Sequence, residues 1–390
     1  MLKAEDFFVD QEISKARTFP PDAYISKEFQ QRELESIFEK MWLPVPQRTA
    51  AELRNDSASL DELLNLPGAF VPFDTLGNAL LFQRDPDDQT LRCLSNVCTH
   101  AWYKLERGVG ELNRSKKFRV CGQHGRQFNG KGRCVSHPGF SGKLQDFPLE
   151  EDHLPEIALD RWEQFLFVCL TKPKIPFGEI FTPIRESLGT LKVMDFKRYP
   201  RDSEEAVVHG NWKFNVANYM DILHVPVLHG MSHSLAEALD MKSYKFEFHP
   251  FCSLQWAYAK NPDDGFEPGV LPERFSDPAN PKKRVYALWW CVLPNMDINI
   301  YKWGMSVNMY YPIPKEPEKS LWRGYHYIYD EHEYRNANLL NERVSAEDFH
   351  AISRVAHGAR SSFAKRGRFG PSEQGPHWLQ RFVYSMVFES

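Results

Sequence analysis

Between Asn96 and Gly130 the chain reads NVCTHAWYKLERGVGELNRSKKFRVCGQHGRQFNG, and this stretch constrains the fold more than any other. It holds two Cys/His pairs, Cys98-x-His100 and Cys121-x-x-His124. Thiolate and imidazole ligands suit zinc or iron–sulfur chemistry, and on the four residues alone a structural zinc site stays open. Three details favour iron. Each pair ends a strand-like run, LSNVCTH and KFRVCGQH, which puts the pairs on two opposed loop tips. Each loop then gives one thiolate and one imidazole. A [2Fe–2S] centre with two Cys on one iron and two His on the other needs that equal division. Cys134-x-x-His137 repeats the second spacing and competes with it. Cys121/His124 is preferred because GRQFNG resumes a strand and turn behind it, and Cys134 reads as a small buried thiol.

The surroundings must supply a β-rich frame. From about Leu66 to Leu170, short strand patterns alternate with turn signals such as Leu-Gly-Asn and Asp-Pro-Asp-Asp, and TKPKIPF follows as an exit linker. An amphipathic helix is expected over 27–42, before this region, and another over 177–195, after it. Strands then recur up to SLWRGYHYIYDE, and a polar helical C-terminus closes an α+β pattern. A net charge of −4 argues against a dedicated nucleic-acid binder. No apolar run approaches the roughly 20 residues of a membrane span, and the N-terminus does not resemble a signal peptide. The expected location is therefore the cytoplasm, with the seven cysteines as free thiols or ligands.

A second site is suggested by NWKFNVANYMDILHVPVLH, 211–229, with Asp221, His224 and His229. Such histidines also occur as an ordinary surface or core pair. On one regular helix, five residues rotate by about 500° and leave the imidazoles about 140° apart. Pro226, lying between them, is expected to break the helix and let His229 swing back. A carboxylate would complete the two-His facial triad of non-haem Fe(II), which leaves positions open for dioxygen. Asp330, Glu331, Glu333, Glu347 and Asp348 are available. A helix is expected from Ala346, with Ser345 as N-cap. Asp348 then shares the face of Ile352 and Val355, while Glu347 turns to the polar side. A carboxylate on an apolar face is costly unless paired or metal-bound, so Asp348 is the expected ligand. The competing reading is a capping-box partner for Ser345.

Both motifs, in this order, resemble the large (α) subunit of Rieske non-haem iron oxygenases, of the aromatic-ring-hydroxylating dioxygenase type, over nearly the whole chain. The resemblance implies a Rieske [2Fe–2S] domain at 43–172, held by Cys98, His100, Cys121 and His124. It would be inserted near the start of a helix-grip catalytic domain at 173–390, against which residues 1–42 pack. Mononuclear Fe(II) would be bound by His224, His229 and Asp348. Asp221 would bridge the two centres across the interface of a head-to-tail homotrimer. Dioxygen would be the co-substrate, and a small aromatic or apolar molecule would be hydroxylated or oxidatively demethylated. With no Gly-x-Gly-x-x-Gly after a strand, NAD(P)H would act only through a separate reductase or ferredoxin. The alternatives are an electron-transfer or binding protein that keeps only the cluster, or a zinc hydrolase that uses only the second triad.

The chain departs from the family pattern at Ala101-Trp102, where Arg-Gly is usual, and in its long spacer between the ligand pairs. Asp rather than Glu at 221 leans away from the choline- and carnitine-like branch. Arg114, Lys116, Lys117 and Arg119 would form a positive rim for an acidic redox partner. Trp256, Trp289, Trp290, Trp303, Met305 and Tyr310 are candidate pocket residues.

Overall fold

The computed structural model describes residues 2–46, 60–113, 115–199, 204–230 and 235–389. The chain divides into two compact units. Pro44–Pro173 forms one, and it interrupts the other, Met1–Leu43 with Lys174–Ser390.

The inner unit is built on antiparallel strands that include Ala69–Thr75, Asn78–Arg84, Leu91–Ser95, Glu156–Trp162 and Phe165–Cys169. Leu76 and Gly77, both at positive φ, make the two-residue hairpin between the first two, as right-handed strand twist favours. Phe82, Cys93, Leu94, Phe165 and Phe167 fill its core. A separate three-stranded sheet, Arg119–Val120, Gln127–Phe128 and Cys134–Ser136, carries the second ligand loop.

The outer unit is an antiparallel sheet. Strand Glu316–Ile328 pairs with Gly304–Ile313, followed in order by Met296–Tyr301, Val285–Val292, Cys252–Tyr258 and Lys245–Phe248. Alternation along these strands sorts the side chains. Met296, Ile298, Ile300, Val307 and Met309 point to one face, where Trp290 Nε1 donates to Ser187 of helix Phe177–Ser187. Asp297, Asn299, Tyr301, Ser306, Asn308 and Tyr310 point to the other. There the helix Trp212–Tyr219 lies across the sheet, its Tyr219 hydroxyl donating to Asn299 Oδ1 (2.9 Å) and Asn215 Nδ2 to Ser320 Oγ (2.9 Å).

The N-terminal segment belongs to this unit. Helix Lys27–Glu33, capped by Ser26, loosens into a π-type turn over Leu34–Phe38 instead of running regularly to Trp42. Phe7, Phe19 and Phe29 pack with Phe388 of the last helix, Gln374–Phe388. Glu33 reaches Lys213 Nζ at 2.7 Å, both side chains being 1% exposed.

Three sequence expectations need correction. The second helix ends at Ser187, not 195. The late helix begins at Glu331 and runs to Ala359, because the Asp330 side chain accepts from the His332 and Glu333 N–H groups and caps it there. Ser345 is therefore mid-helix and caps nothing.

Candidate metal centres

The two inner-unit loops share one backbone design. In the first, the Cys98 N–H donates to the Tyr103 carbonyl (2.8 Å), and the Cys98 carbonyl accepts from the Trp102 N–H (3.0 Å). In the second, Cys121 makes the same two bonds with Arg126 (2.8 Å) and Gly125 (3.0 Å). Trp102 and Gly125 therefore hold equivalent positions, and both have positive φ, 59° and 75°. The frame requires a left-handed residue there, which explains why glycine suits the site and shows that Trp102 takes it under strain.

These frames bring the expected residues together. His100 Nδ1 and His124 Nδ1 lie 3.1 Å apart, and the buried Cys98 and Cys121 thiols adjoin one another. Burial pushes the Cys98 thiol above its ordinary value, and the neighbouring Cys121 adds to this. Two thiols and two imidazoles facing inward from opposed loops fit a [2Fe–2S] group with mixed ligation. Cys134 lies on a strand instead of this turn, and its N–H donates to His153 Nδ1 (3.0 Å). His137 stacks on Phe140, and both rings lie beside His100, with centroids 4.7 and 5.5 Å from it, so the competing pair supplies packing beside the loops.

The expected positive rim is not formed as read. Arg119 is fully buried, held by Glu106 Oε1 (3.0 Å) and Gln83 Oε1 (2.7 Å), and Lys116 is 4.0 Å from Glu106. A guanidinium removed from water needs such partners. Arg114 lies outside the described residues.

In the outer unit, the helix Trp212–Tyr219 ends before Asp221. Asp221 Oδ1 accepts from the Leu223 N–H (2.8 Å), turning the chain, and a one-turn helix Val225–Leu228 follows. Pro226 sits at the start of that turn, where its missing N–H has no intrahelical partner to lose. Contrary to expectation, Pro226 does not break a helix. His224 and His229 flank the single turn as its two end residues.

The two rings then converge on the late helix. Asp348 Oδ1 is 3.1 Å from His229 Nε2 and 3.7 Å from His224 Nε2, and one ligand atom from each residue fits within a 4.8 Å span. Asp348 Oδ1 and His229 Nε2 are nonetheless buried without a hydrogen bond of proper geometry. Buried polar atoms that crowd together but do not bond one another suit the coordination of a cation. Two imidazoles and a carboxylate suit non-haem Fe(II).

Glu347 is not turned to solvent. Its Oε2 lies 2.7 Å from His229 Nδ1 and fixes that ring. Asp221 Oδ2 is 3.6 Å from His224 Nδ1. Of the other acids weighed, Asp330 is a cap, Glu331 pairs with Arg335, and Glu333 pairs with Lys302.

The triad opens on a cavity of about 370 Å³. Trp289 and Tyr310 line it, as expected, together with Tyr219, Tyr244, Tyr301, Trp322 and the amides Asn215, Asn218, Asn299 and Asn308. Trp256, Trp290, Trp303 and Met305 are buried but do not line it. No Lys or Arg among the described residues faces this cavity, whereas Asp221 and Asp348 do.

Residues 194–389 match the family model for the ring hydroxylating alpha subunit (catalytic domain), and residues 57–148 match that for the Rieske [2Fe-2S] domain. The chain belongs to the ring-hydroxylating alpha-subunit family. This alpha subunit is 28% identical, over 54% of its length and 50% of the relative's, to the methanesulfonate monooxygenase hydroxylase subunit alpha of Methylosulfonomonas methylovora. It is 26% identical, over 53% of its length and 43% of the relative's, to the large oxygenase component of the 2,4-dinitrotoluene dioxygenase system of Burkholderia sp. (strain RASC). The matches thus take in about half the length of these curated relatives. The quaternary ammonium Rieske monooxygenase CntA has the same fold, with a TM-score of 0.75 and 19% identity over 99% of this chain and 98% of that one. At that identity the likeness concerns the fold alone.

Sequence reasoning missed Glu347 and the polar wall of the pocket in this alpha subunit. A signal for the wall was present. Asn299-x-Tyr301 and Ser306-x-Asn308-x-Tyr310 alternate with apolar residues, and this polar set faces the cavity instead of bulk water.

Proposed function

We propose that the chain is the terminal oxygenase component of a system in which a separate reductase or ferredoxin supplies electrons. The observation that carries this is the convergence of His224, His229 and Asp348 on the wall of a small-molecule cavity, in a chain that also has a Rieske domain. An electron carrier would have no use for the triad, and a zinc hydrolase would have no use for the cluster loops.

His224, His229 and Asp348 would hold Fe(II), and Cys98, His100, Cys121 and His124 the cluster. When bound, the iron supplies dioxygen activation at open coordination positions. The protein's own contribution is orientation and exclusion of water. Glu347 fixes the His229 ring, and Asp221 stands beside His224. We read Asp221 as the link between the two centres of neighbouring subunits in a homotrimer.

The lining supports a neutral substrate. Among the described residues the lining is mainly aromatic rings and amides, with no Lys or Arg to pair with an anion such as the sulfonate named for one relative. A flat, apolar or aromatic molecule is the proposed class, hydroxylated or oxidatively demethylated.

Anaerobically purified protein tests the whole reading. Reduced holoprotein should give the EPR signal of mixed nitrogen and sulfur ligation, and Asp348→Ala should lose mononuclear iron while keeping that signal. A colourless protein with one zinc per chain would refute it. Sedimentation and donor-dependent oxygen uptake test the trimer and the electron donor.

A further inference from the structure

Asp297 is fully buried, and neither of its carboxyl oxygens has a well-formed hydrogen bond. It faces the pocket side of the sheet, one step beyond Asn299, yet it does not line the cavity. In the sheet register it stands opposite Cys291 on one neighbouring strand and Asn308 on the other. Tyr310, two residues beyond Asn308 on the same face, lies diagonally against it and does line the cavity. Tyr310 thus separates a hidden carboxyl group from the space that His224, His229 and Asp348 open onto.

The ionisation state follows from the surroundings. Burial penalises the carboxylate heavily, and only the Tyr310 hydroxyl and the Cys291 thiol work the other way. No Lys, Arg or His among the described residues offsets the charge. An isolated carboxylate in such a site takes up a proton instead of remaining charged. A neutral acid packed against a phenol whose other side faces a reaction pocket is an arrangement for passing a proton, and three of the wall's other hydroxyls are engaged differently. Tyr219 donates to Asn299, Tyr244 donates to Gln255, and Tyr301 accepts from Trp289.

We propose that Asp297 stands as a neutral carboxylic acid behind the pocket wall and, through Tyr310, supplies one of the protons consumed in dioxygen reduction. The inference rests on the oxygenase reading above. Hydroxylation of a C–H bond takes up one dioxygen, two electrons and two protons, and releases one alcohol and one water. The electrons come from the one-electron protein donor by way of the cluster. The Tyr310 O–H bond breaks and its proton goes to the oxygen that leaves as water. The Asp297 O–H bond then breaks and returns a proton to the Tyr310 oxygen, leaving Asp297 as the carboxylate. The second proton comes from solvent, and water entering the emptied pocket recharges the pair through Tyr310. Asp297 is thus a positioning and reserve group, and Tyr310 is the residue that meets the reacting oxygen.

Infrared spectroscopy and oxygen kinetics test this together. At neutral pH, the wild-type minus Asp297→Asn difference spectrum should contain a carboxylic-acid carbonyl band that shifts in D2O and moves in Tyr310→Phe. Dithionite-reduced holoenzyme is then mixed with oxygenated buffer, with indole as the probe in the pocket, and reoxidation of the cluster is followed in the visible. Both variants should be slowed by about 100-fold, as expected when a general acid is lost, with cluster and iron occupancy unchanged. Absence of the acid band overturns the proposal without bearing on the oxygenase reading. Wild-type reoxidation rates in Asp297→Asn also overturn it, and again the oxygenase reading stands. A wild-type holoenzyme that does not reduce dioxygen ends both.

Discussion

Lys213→Met should destabilise the outer unit severely, and the structure allows the size to be worked out. Lys213 Nζ lies 2.7 Å from Glu33 Oε1 and 2.8 Å from Asn211 Oδ1, with Glu33 and Lys213 each 1% exposed. The ammonium also sits over the rings of Tyr24, Phe29 and Trp212, at 5.1 to 5.3 Å from their centroids. Methionine fills most of the volume but leaves the Glu33 carboxylate buried, with the Trp212 indole N–H at 3.3 Å as its remaining donor. Breaking a buried pair from one side costs about 3–5 kcal/mol. In a unit of this size each kcal/mol lowers Tm by about 2–4 °C, so the expected fall is about 6–20 °C. Glu33→Leu combined with Lys213→Met removes both charges and should restore most of the loss, since apolar replacement of a buried pair is often neutral or stabilising. Calorimetry should show the outer-unit transition move, while bleaching of the cluster's visible absorption, which reports on the inner unit, stays in place. A single variant within about 1 kcal/mol of wild type, or a double variant as unstable as the single, would refute the reasoning.

Glu347→Ala should weaken mononuclear iron binding by about 10–100-fold, the usual cost of losing a carboxylate that orients a ligand imidazole, and metal analysis at graded iron concentrations would show it. Trp102→Gly should stabilise the inner unit by about 1 kcal/mol in urea unfolding, because the strained φ is relieved while an 85% exposed side chain gives up little burial. A loss of stability there would mean that the indole packs in solution. In metal-free protein, burial lowers the His229 pKa, but the nearby carboxylates of Asp348 and Glu347 outweigh it and hold the value above the ordinary 6.5. A raised folded value stabilises below the unfolded pKa, and the stabilisation is lost as pH rises through the folded value. The Tm of metal-free protein should accordingly fall as pH rises above the ordinary imidazole range, while iron affinity, which requires loss of that proton, rises. A flat iron affinity over that range would contradict the assignment of His229.

The candidate ligand residues, which the structure brings together, stood out in the sequence because their chemistry is rare. Two Cys/His pairs on strand ends, and two histidines near a helix break, have few other uses. Their supports were not legible. Glu347 was assigned to the polar side from a helix phase set by Asp348, Ile352 and Val355, but adjacent residues about 100° apart can straddle one imidazole. Asp348 faces His229 Nε2 and Glu347 reaches round to the other ring nitrogen, Nδ1. Pro226 was read as a breaker because propensity does not say whether a proline stands inside a helix or at its first turn. Arg119 looked like surface charge because its partners, Gln83 and Glu106, meet it only in the folded sheet.

The buried link between Glu33 and Lys213 also has a consequence in time. The two residues are 180 positions apart, and the whole inner unit is encoded between them. On the ribosome, at about 5–20 residues per second, the first waits on the order of 10–40 s for the second. Throughout that interval the N-terminal helix, with Phe29 on its apolar side, has no core to enter, while the 44–173 unit can complete itself. Residues 2–43 are then held as an unfinished piece, open to chaperones and proteases, until strands near the end of the chain emerge. Translation speed beyond the codon for Pro44 therefore sets how long that exposure lasts.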